Sequence, residues 1–313
     1  MPGLEIQPFA EEHLEAASEL LAARHDRHRE AEPLLAAGLD FRAEIETLLA
    51  ADHVSGEVGL RDGRAVAYLL GIRKSDETWG PNVWVEPAGQ AAEEAEDVRD
   101  LYAAAAARWV DEGRTRHYVV APASDAPLRD AWDRLSFGRQ HALGIREIPE
   151  VAWPEGVRLA EERDLDAIID IAPVLPDLQD GSPVFGKVPR ESDEELRKEI
   201  GEDLGNAEIA NVVAEIDGRV VGNLVIAPTE LSSTHAGLAR VPGAALLAYA
   251  ATKAEVRGLG TGVAMTNAGF VWAREQGFET MVTDWRETNL LSSRFWPKRG
   301  FRRTFLRLYR SIP

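Results

Sequence analysis

The chain is 313 residues long, 45% hydrophobic and 28% charged, with no cysteine and a formal net charge of -18. The lack of cysteine excludes disulfides, thiolate catalysis and cysteine-ligated zinc, and no metal is expected. The acidic balance argues against broad nucleic-acid binding, which needs a cationic surface; it suits a cationic acceptor and equally a plainly solvated surface. Met1 to Glu5 lacks the basic and apolar regions of a leader, and no apolar run is long enough to span a bilayer. A cytoplasmic location without a membrane partner is the expectation.

In chain order, Leu4 to Pro8 alternates as a strand and leads into a helix over Glu11 to Ala23. An amphipathic stretch follows around Phe41 to Leu49. Glu57 to Leu60, the turn Arg61-Asp62-Gly63-Arg64 and Ala65 to Ile72 predict a hairpin, because glycine accepts the positive φ of a tight turn. Pro149 to Pro154 reads as a short linker. The same order then returns: a strand at Val157 to Ala160, a helix over Asp164 to Ile171, an amphipathic stretch at Glu194 to Ile200. A second hairpin turns at Asp217-Gly218-Arg219, between Asn211 to Ile216 and Val220 to Ile226. Landmarks recur at one constant separation: Gly113 and Gly277, Asp125 and Asn289, Trp132 and Trp296, Phe137 and Phe301, Pro149 and Pro313. A repeat of this length predicts a duplicated domain, with halves 1–150 and 151–313. Each half mixes strands and helices, an α/β (α+β) pattern with a mixed central sheet flanked by helices.

In the second half, Gly243 to Thr252 reads as a buried strand and Arg257-Gly258-Leu259-Gly260-Thr261-Gly262 as a glycine-rich turn. Val263 to Gln276 reads as a helix, with Gly277 just past its end. A strand, turn and helix in this order aim backbone N–H groups at an anion, where the helix dipole favours negative charge. Glycine lets the main chain approach phosphates closely. The spacing Arg-x-x-Gly-x-Gly has no Gly-Lys-Ser/Thr and does not fit the dinucleotide fingerprint.

Downstream, Phe278 to Thr283 reads as the next strand and Arg302 to Ser311 as the last. Between them lies Asn289-Leu290-Leu291-Ser292-Ser293-Arg294-Phe295-Trp296-Pro297-Lys298-Arg299-Gly300-Phe301. With these elements the second half resembles the GCN5-related N-acetyltransferase (GNAT) superfamily, and the first half resembles it more loosely, as in tandem two-domain members. The resemblance implies two central strands that splay apart, with a pantetheine arm paired to the backbone of Ala250, Ala251 and Thr252. It implies a pyrophosphate held by N–H groups of Gly258, Leu259, Gly260, Thr261, Gly262 and Val263, on a loop shaped by Arg257. Asn289 would bond the arm, cap the helix Leu290 to Pro297, or do both. Trp296 stands beside the cofactor, where many relatives carry a tyrosine acid; Leu246 stands where many carry a glutamate base.

The activity implied is direct transfer from acetyl-CoA, or another acyl-CoA, to a small amine, by a monomer or homodimer. A CoA-binding module without catalysis and an enzyme acting on a protein amine are the alternatives. Candidate replacement catalytic groups are Asp284 at the end of the second central strand, Tyr249 on the first, and His235 in a loop near the acceptor. Each also has a structural reading: an ion pair with Arg286 or a turn bond, core packing, and a loop histidine without a role. The first half has Pro87 to Glu96 in place of the glycine loop. Its carboxylates would repel a pyrophosphate, so this half is expected to keep the fold without binding CoA. Gln179 to Arg190, rich in turn formers, is either a lid over the acceptor or a surface loop.

Overall fold

The computed structural model describes residues 3–76, 79–186 and 190–313. Two compact units divide the chain: Met1–Leu143 with Ala236–Arg240 and Arg303–Pro313, and Gly144–His235 with Val241–Arg302.

The first unit begins with β1 (Glu5–Pro8), α1 (Leu14–Ala31), α2 (Phe41–Leu49), β2 (Val54–Arg61) and β3 (Arg64–Asp76). It continues with β4 (Gly80–Val85), β5 (Gln90–Ala92), α3 (Asp97–Asp111), β6 (Arg116–Pro122), α4 (Ala126–Asp133) and the opening residues of β7 (Gly138–Glu147). The strand order is β1-β2-β3-β4-β6, and β5 also pairs with β3. The hairpin turn sits at Asp62 and Gly63, with φ of 54° and 76°, both in the left-handed region that an Asp-Gly turn accommodates. α1 runs a further two turns beyond Ala23. Its inward face extends from Leu14, Ala17 and Leu21 to Arg24, His25 and His28, all buried; the polar half of that face masks the helical period. Asp40 and Asp125 cap α2 and α4, each accepting a backbone N–H at 3.0 Å. Leu238 and Ala239 join the core of this unit, with Leu35, Leu48 and Leu70.

The second unit holds β8 (Val157–Leu159), α5 (Leu165–Ile171), α6 (Val174–Asp180), α7 (Asp193–Leu204), β9 (Ala210–Ile216) and β10 (Arg219–Pro228). β11 (Ala245–Thr252), α8 (Thr261–Glu275), β12 (Thr280–Arg286) and α9 (Ser292–Lys298) follow, and the chain ends in β13 (Arg302–Ser311). The strand order is β12-β11-β10-β9-β8. Its hairpin repeats the first turn, with Asp217 at 51° and Gly218 at 76°. α8 lies close on β10 because two positions lack a side chain. A Cβ on Gly269 would stand 2.6 Å from Ile226 Cδ1, and one on Gly222 would stand 2.8 Å from Met265 Sδ.

At their edges the units do not follow chain order. β13 pairs antiparallel with β6, from Phe305↔Pro122 to Ser311↔Arg116, so the end of the chain completes the first unit. The tail of β7 beyond Leu143 belongs to the second unit, where the Ile148 N–H bonds Glu279 O at 2.9 Å. A division at 150/151 separates the repeats as written. The compact units differ from it because β6 and β12 each need a strand on their open edge to satisfy backbone groups.

Candidate functional site

β11 and β12 run parallel but pair only over Ala245↔Met281, Leu246↔Val282 and Leu247↔Thr283. Thr283 Oγ1 donates to Leu247 O at 2.9 Å, beside the last rung. On its other side β11 keeps β10 as a partner as far as Gly222↔Thr252. The β10 register slips between Val225 and Ile226, opposite Tyr249 and Leu247. Ala248 is therefore an extra residue, a bulge of the kind that bends a strand away from its neighbour. Beyond it β11 has a strand on one side only. Ala250, Ala251 and Thr252 all lie in that one-sided stretch.

After Thr252 the chain makes a short 3-10 turn at Ala254–Val256 and enters the glycine loop. Gly258 and Gly260 have φ of 82° and 90°, which a Cβ would strain. Gly260 is the residue before α8, so the helix starts at Thr261 rather than at Val263. The first helical bond is Ala264 N–H to Gly260 O at 3.0 Å. The N–H groups of Gly258, Gly260, Thr261, Gly262 and Val263 find no acceptor among the described residues. The first turn of α8 carries no acidic side chain and no side-chain cap. Leu259, at the tip, is 71% exposed, and its N–H bonds back to Val256 O at 3.3 Å. Arg257 is extended, and its N–H bonds Ala254 O. A set of free N–H groups at an uncapped helix start matches an anion with several acceptor oxygens. A diphosphate fits that description.

Asn289 is buried, and its Oδ1 accepts the N–H of Leu291 at 3.0 Å and of Ser292 at 3.3 Å. It thus shapes the turn into α9, which begins at Ser292 rather than Leu290. Trp296 is 6% exposed and packs between Phe295 and Phe301, at ring separations of 4.8 and 5.6 Å. Its indole is part of the aromatic core. The ring of Phe295, the neighbour of Trp296 in the Asn289–Phe301 run, would lie 3.5 Å from a Cβ on Gly262, so α9 packs beside the glycine loop.

Of the three catalytic candidates, two come together. Asp284 is the first residue past the last rung of the β11–β12 ladder and is half-buried. His235 is 2% exposed, its N–H bonds Ser232 Oγ at 3.0 Å, and its Nδ1 lies 3.3 Å from the same oxygen. Burial pushes its pKa down, opposed by the nearby Asp284 carboxylate and the Thr283 backbone. Tyr249 is placed differently. Its hydroxyl donates to Ile171 O at 3.2 Å, and burial raises its pKa. In the turn-rich segment 179–190, Lys187, Val188 and Pro189 lie outside the described residues. Arg190 bonds Asp177 at 2.7 Å and Asp180 at 2.5 Å. Among the described residues no group of three His, Asp or Glu is placed to hold a metal ion.

Residues 176–301 match the sequence family described as the Acetyltransferase (GNAT) family. The matched stretch lies in the second half of the chain and takes in the glycine loop, the fork and α9. Among solved structures it is similar to a GCN5-related N-acetyltransferase from Sphaerobacter thermophilus, at 13% identity over 98% of this chain and 95% of that one, with a TM-score of 0.61. It is also similar to the GCN5-related glucosamine N-acetyltransferase region of a fungal multi-domain GH3 β-N-acetylglucosaminidase (13% identity, 99% of this chain, 38% of that chain, TM-score 0.56). An acetyltransferase from the GNAT family of Colwellia psychrerythraea matches at 12% identity over 99% of this chain and 100% of that chain, with a TM-score of 0.50. At these identities the likeness is one of fold, and it runs through both units, so the chain has two tandem GNAT-like domains. No curated protein matches the chain. No helix among the described residues is long and apolar enough to cross a membrane.

In the first GNAT-like unit, β4 and β5 stand where β11 stands in the second: both pair with β3. β4 runs parallel to β6 from Asn82↔Arg116 to Val85↔Val119, and the ladder then stops. Here the fork is filled by the protein itself. Gln90 is fully buried, donates Nε2 to Val120 O at 3.0 Å, and accepts the Trp132 indole N–H at 2.9 Å. Arg24 is 3% exposed and donates to Pro87 O at 2.7 Å and also to Gln90 O. Tyr68 donates to Ala88 O at 2.8 Å. At the head of α3, Asp97 is buried and paired with Arg61 at 2.8 Å, so a carboxylate stands where the second unit leaves N–H groups free.

Proposed function

We propose that the chain is an acyl-CoA-dependent N-acyltransferase that uses acetyl-CoA and acylates a small amine by direct transfer. The observation that carries this reading is the conjunction of the fork beyond Leu247 with free N–H groups at the start of α8. The loop from Gly258 to Val263 would hold the pyrophosphate, with Arg257 shaping it. The backbone of Ala250 to Thr252 would hold the pantetheine arm where β12 has left it, and Asn289 would flank it. Bound acetyl-CoA would supply a thioester carbonyl open to attack.

The chain's own groups then have separate tasks. Asp284, at the mouth of the fork, accepts a proton from the acceptor ammonium, and His235 behind it holds that end of β12 in place. Tyr249 closes the α5 end of the site through its bond to Ile171. Trp296 donates no proton to the leaving group, because its indole N–H is not acidic at neutral pH. Proximity and orientation supply much of the rate. The chain's acidic charge favours a cationic acceptor. One cofactor per chain follows from the filled fork of the first unit, where Arg24 and Gln90 already use the backbone groups that an arm would need.

The buried Trp296 also favours a second reading, a CoA-binding module without catalysis. Thiol release measured with saturating acetyl-CoA across a panel of small amines separates the two. Release at least about a hundredfold above buffer with one of them supports transfer, consistent with the rate general-base catalysis alone contributes. Binding without release moves the chain to the second reading. Release only with peptide amines moves the acceptor to a protein.

A further inference from the structure

The two repeats differ at one matched place away from the fork. The separation that takes Gly113 to Gly277 and Phe137 to Phe301 also takes Ala103, Ala106, Ala107 and Val110 on α3 to Asn267, Phe270, Val271 and Arg274 on α8. It takes Arg310 on β13 to Arg146 on β7. In the second unit this place is filled. Phe270 is buried, and the Arg146 guanidinium lies over its ring at 4.5 Å from the centre, an attraction of cation for aromatic face. In the first unit the alanine at 106 removes that ring. A cavity of about 390 Å³ stands there instead, between α3 and the end of β13. That volume lies in the range of small-molecule sites. Ala103 and Ala107 are exposed, so the cavity opens to solvent.

Its walls have a definite chemistry. Ala103, Ala106, Ala107 and Val110 give an apolar surface, and Arg310 and Asp111 add one charge of each sign. Neither of those two makes an ion pair among the described residues. Arg310 is held from behind. His117 Nε2 bonds Arg114 O at 2.9 Å and so carries the ring proton. Nδ1 then accepts the Tyr102 hydroxyl at 2.7 Å, which leaves the Tyr102 oxygen to accept from Arg310. The remaining guanidinium donors suit a carboxylate, which such a fork binds in two-point fashion. Asp111 is the last residue of α3, where the helix dipole reinforces its preference for a cation.

We propose that this cavity binds a small aromatic zwitterion, a free aromatic α-amino acid. Its ring takes the space that Phe270 fills in the second unit, its carboxylate pairs with Arg310, and its ammonium pairs with Asp111. The site lies wholly in the first unit and does not depend on the acyl-CoA reading. It gives the unit whose fork is filled a ligand of its own.

The test is calorimetric titration of the full chain with L-phenylalanine, with 3-phenylpropionate, which lacks the ammonium, and with phenethylamine, which lacks the carboxylate. Each variant is also melted without ligand. Wild-type protein is expected to bind L-phenylalanine saturably at one site, and each truncated analogue about tenfold more weakly. Ala106→Phe supplies the ring from the chain itself. It should melt at or above the wild-type temperature and bind L-phenylalanine at least about tenfold more weakly, since the ring's place is taken. Arg310→Gln should weaken L-phenylalanine about tenfold and leave phenethylamine unchanged; Asp111→Asn should weaken L-phenylalanine and leave 3-phenylpropionate unchanged. If Ala106→Phe does not melt cooperatively, these two variants decide. No saturable binding by wild-type protein at millimolar L-phenylalanine overturns the proposal. So does undiminished binding by folded Arg310→Gln and Asp111→Asn. Loss of the L-phenylalanine heat on saturation with acetyl-CoA would place the ligand in the second unit and overturn it equally.

Discussion

Acid should unfold this protein early, through two histidines that the first unit buries in neutral form. His28 is 3% exposed, packs edge-on against Phe305 at 4.8 Å, and leaves Nε2 without a partner among the described residues. Burial, reinforced by the Arg24 charge, lowers its pKa from 6.5 to about 3. His117 is 1% exposed, bonded to Tyr102 at 2.7 Å, and burial lowers it from 6.5 to about 4. Both folded values lie below the unfolded value, so below pH 6.5 the unfolded chain binds more protons than the folded one. Stability is therefore held above pH 6.5 and lost as pH falls through that value toward about 3. At pH 5 the deficit is about 1.5 pH intervals for each ring, or roughly 2 kcal/mol each and about 4 kcal/mol together. That is a large share of a typical domain stability. Urea unfolding followed by circular dichroism at pH 7.5 and pH 5.0 reads the difference, and His28→Leu should remove about half of it. Equal unfolding midpoints at the two pH values, or an unchanged pH difference in His28→Leu, would refute the reasoning.

Other consequences concern the fork. Asp284→Asn should lower kcat/KM by roughly 10²- to 10⁴-fold while leaving acetyl-CoA affinity in place; steady-state kinetics beside calorimetry reads both, and a rate within a few-fold of wild type removes Asp284 as the base. Tyr249→Phe loses one hydrogen bond to Ile171 and should cost about 1 kcal/mol of stability with little effect on turnover. A loss of turnover near a hundredfold would return Tyr249 to the chemistry.

What the sequence made legible is what local chemistry dictates. The two Asp-Gly turns and the glycine loop with its helix all follow from residues a few positions apart. The constant separation of Trp132 and Trp296, or of Phe137 and Phe301, survives as paired buried positions because both repeats keep the same core. The bulge at Ala248 was not legible, since Leu-Leu-Ala-Tyr carries no mark of where the β10 register slips. The exchange of β13 and the tail of β7 was not legible either, because it depends on edges that exist only after both sheets form. Arg24 on α1 reads from sequence as a solvated charge. Only the carbonyls of Pro87 and Gln90, far along the chain, give it a buried role.

The central claim is one open acyl-CoA site per chain, at the start of α8. Gly260 has open space where a Cβ would go, and aspartate tolerates a positive φ better than most residues. Gly260→Asp should therefore fold while placing a carboxylate among the free N–H groups. Calorimetry of the wild-type chain with acetyl-CoA should give one site per chain, and Gly260→Asp should abolish the binding heat while keeping a cooperative melt. No binding by the wild-type chain at millimolar ligand, two sites per chain, or undiminished binding by a folded Gly260→Asp would contradict the account.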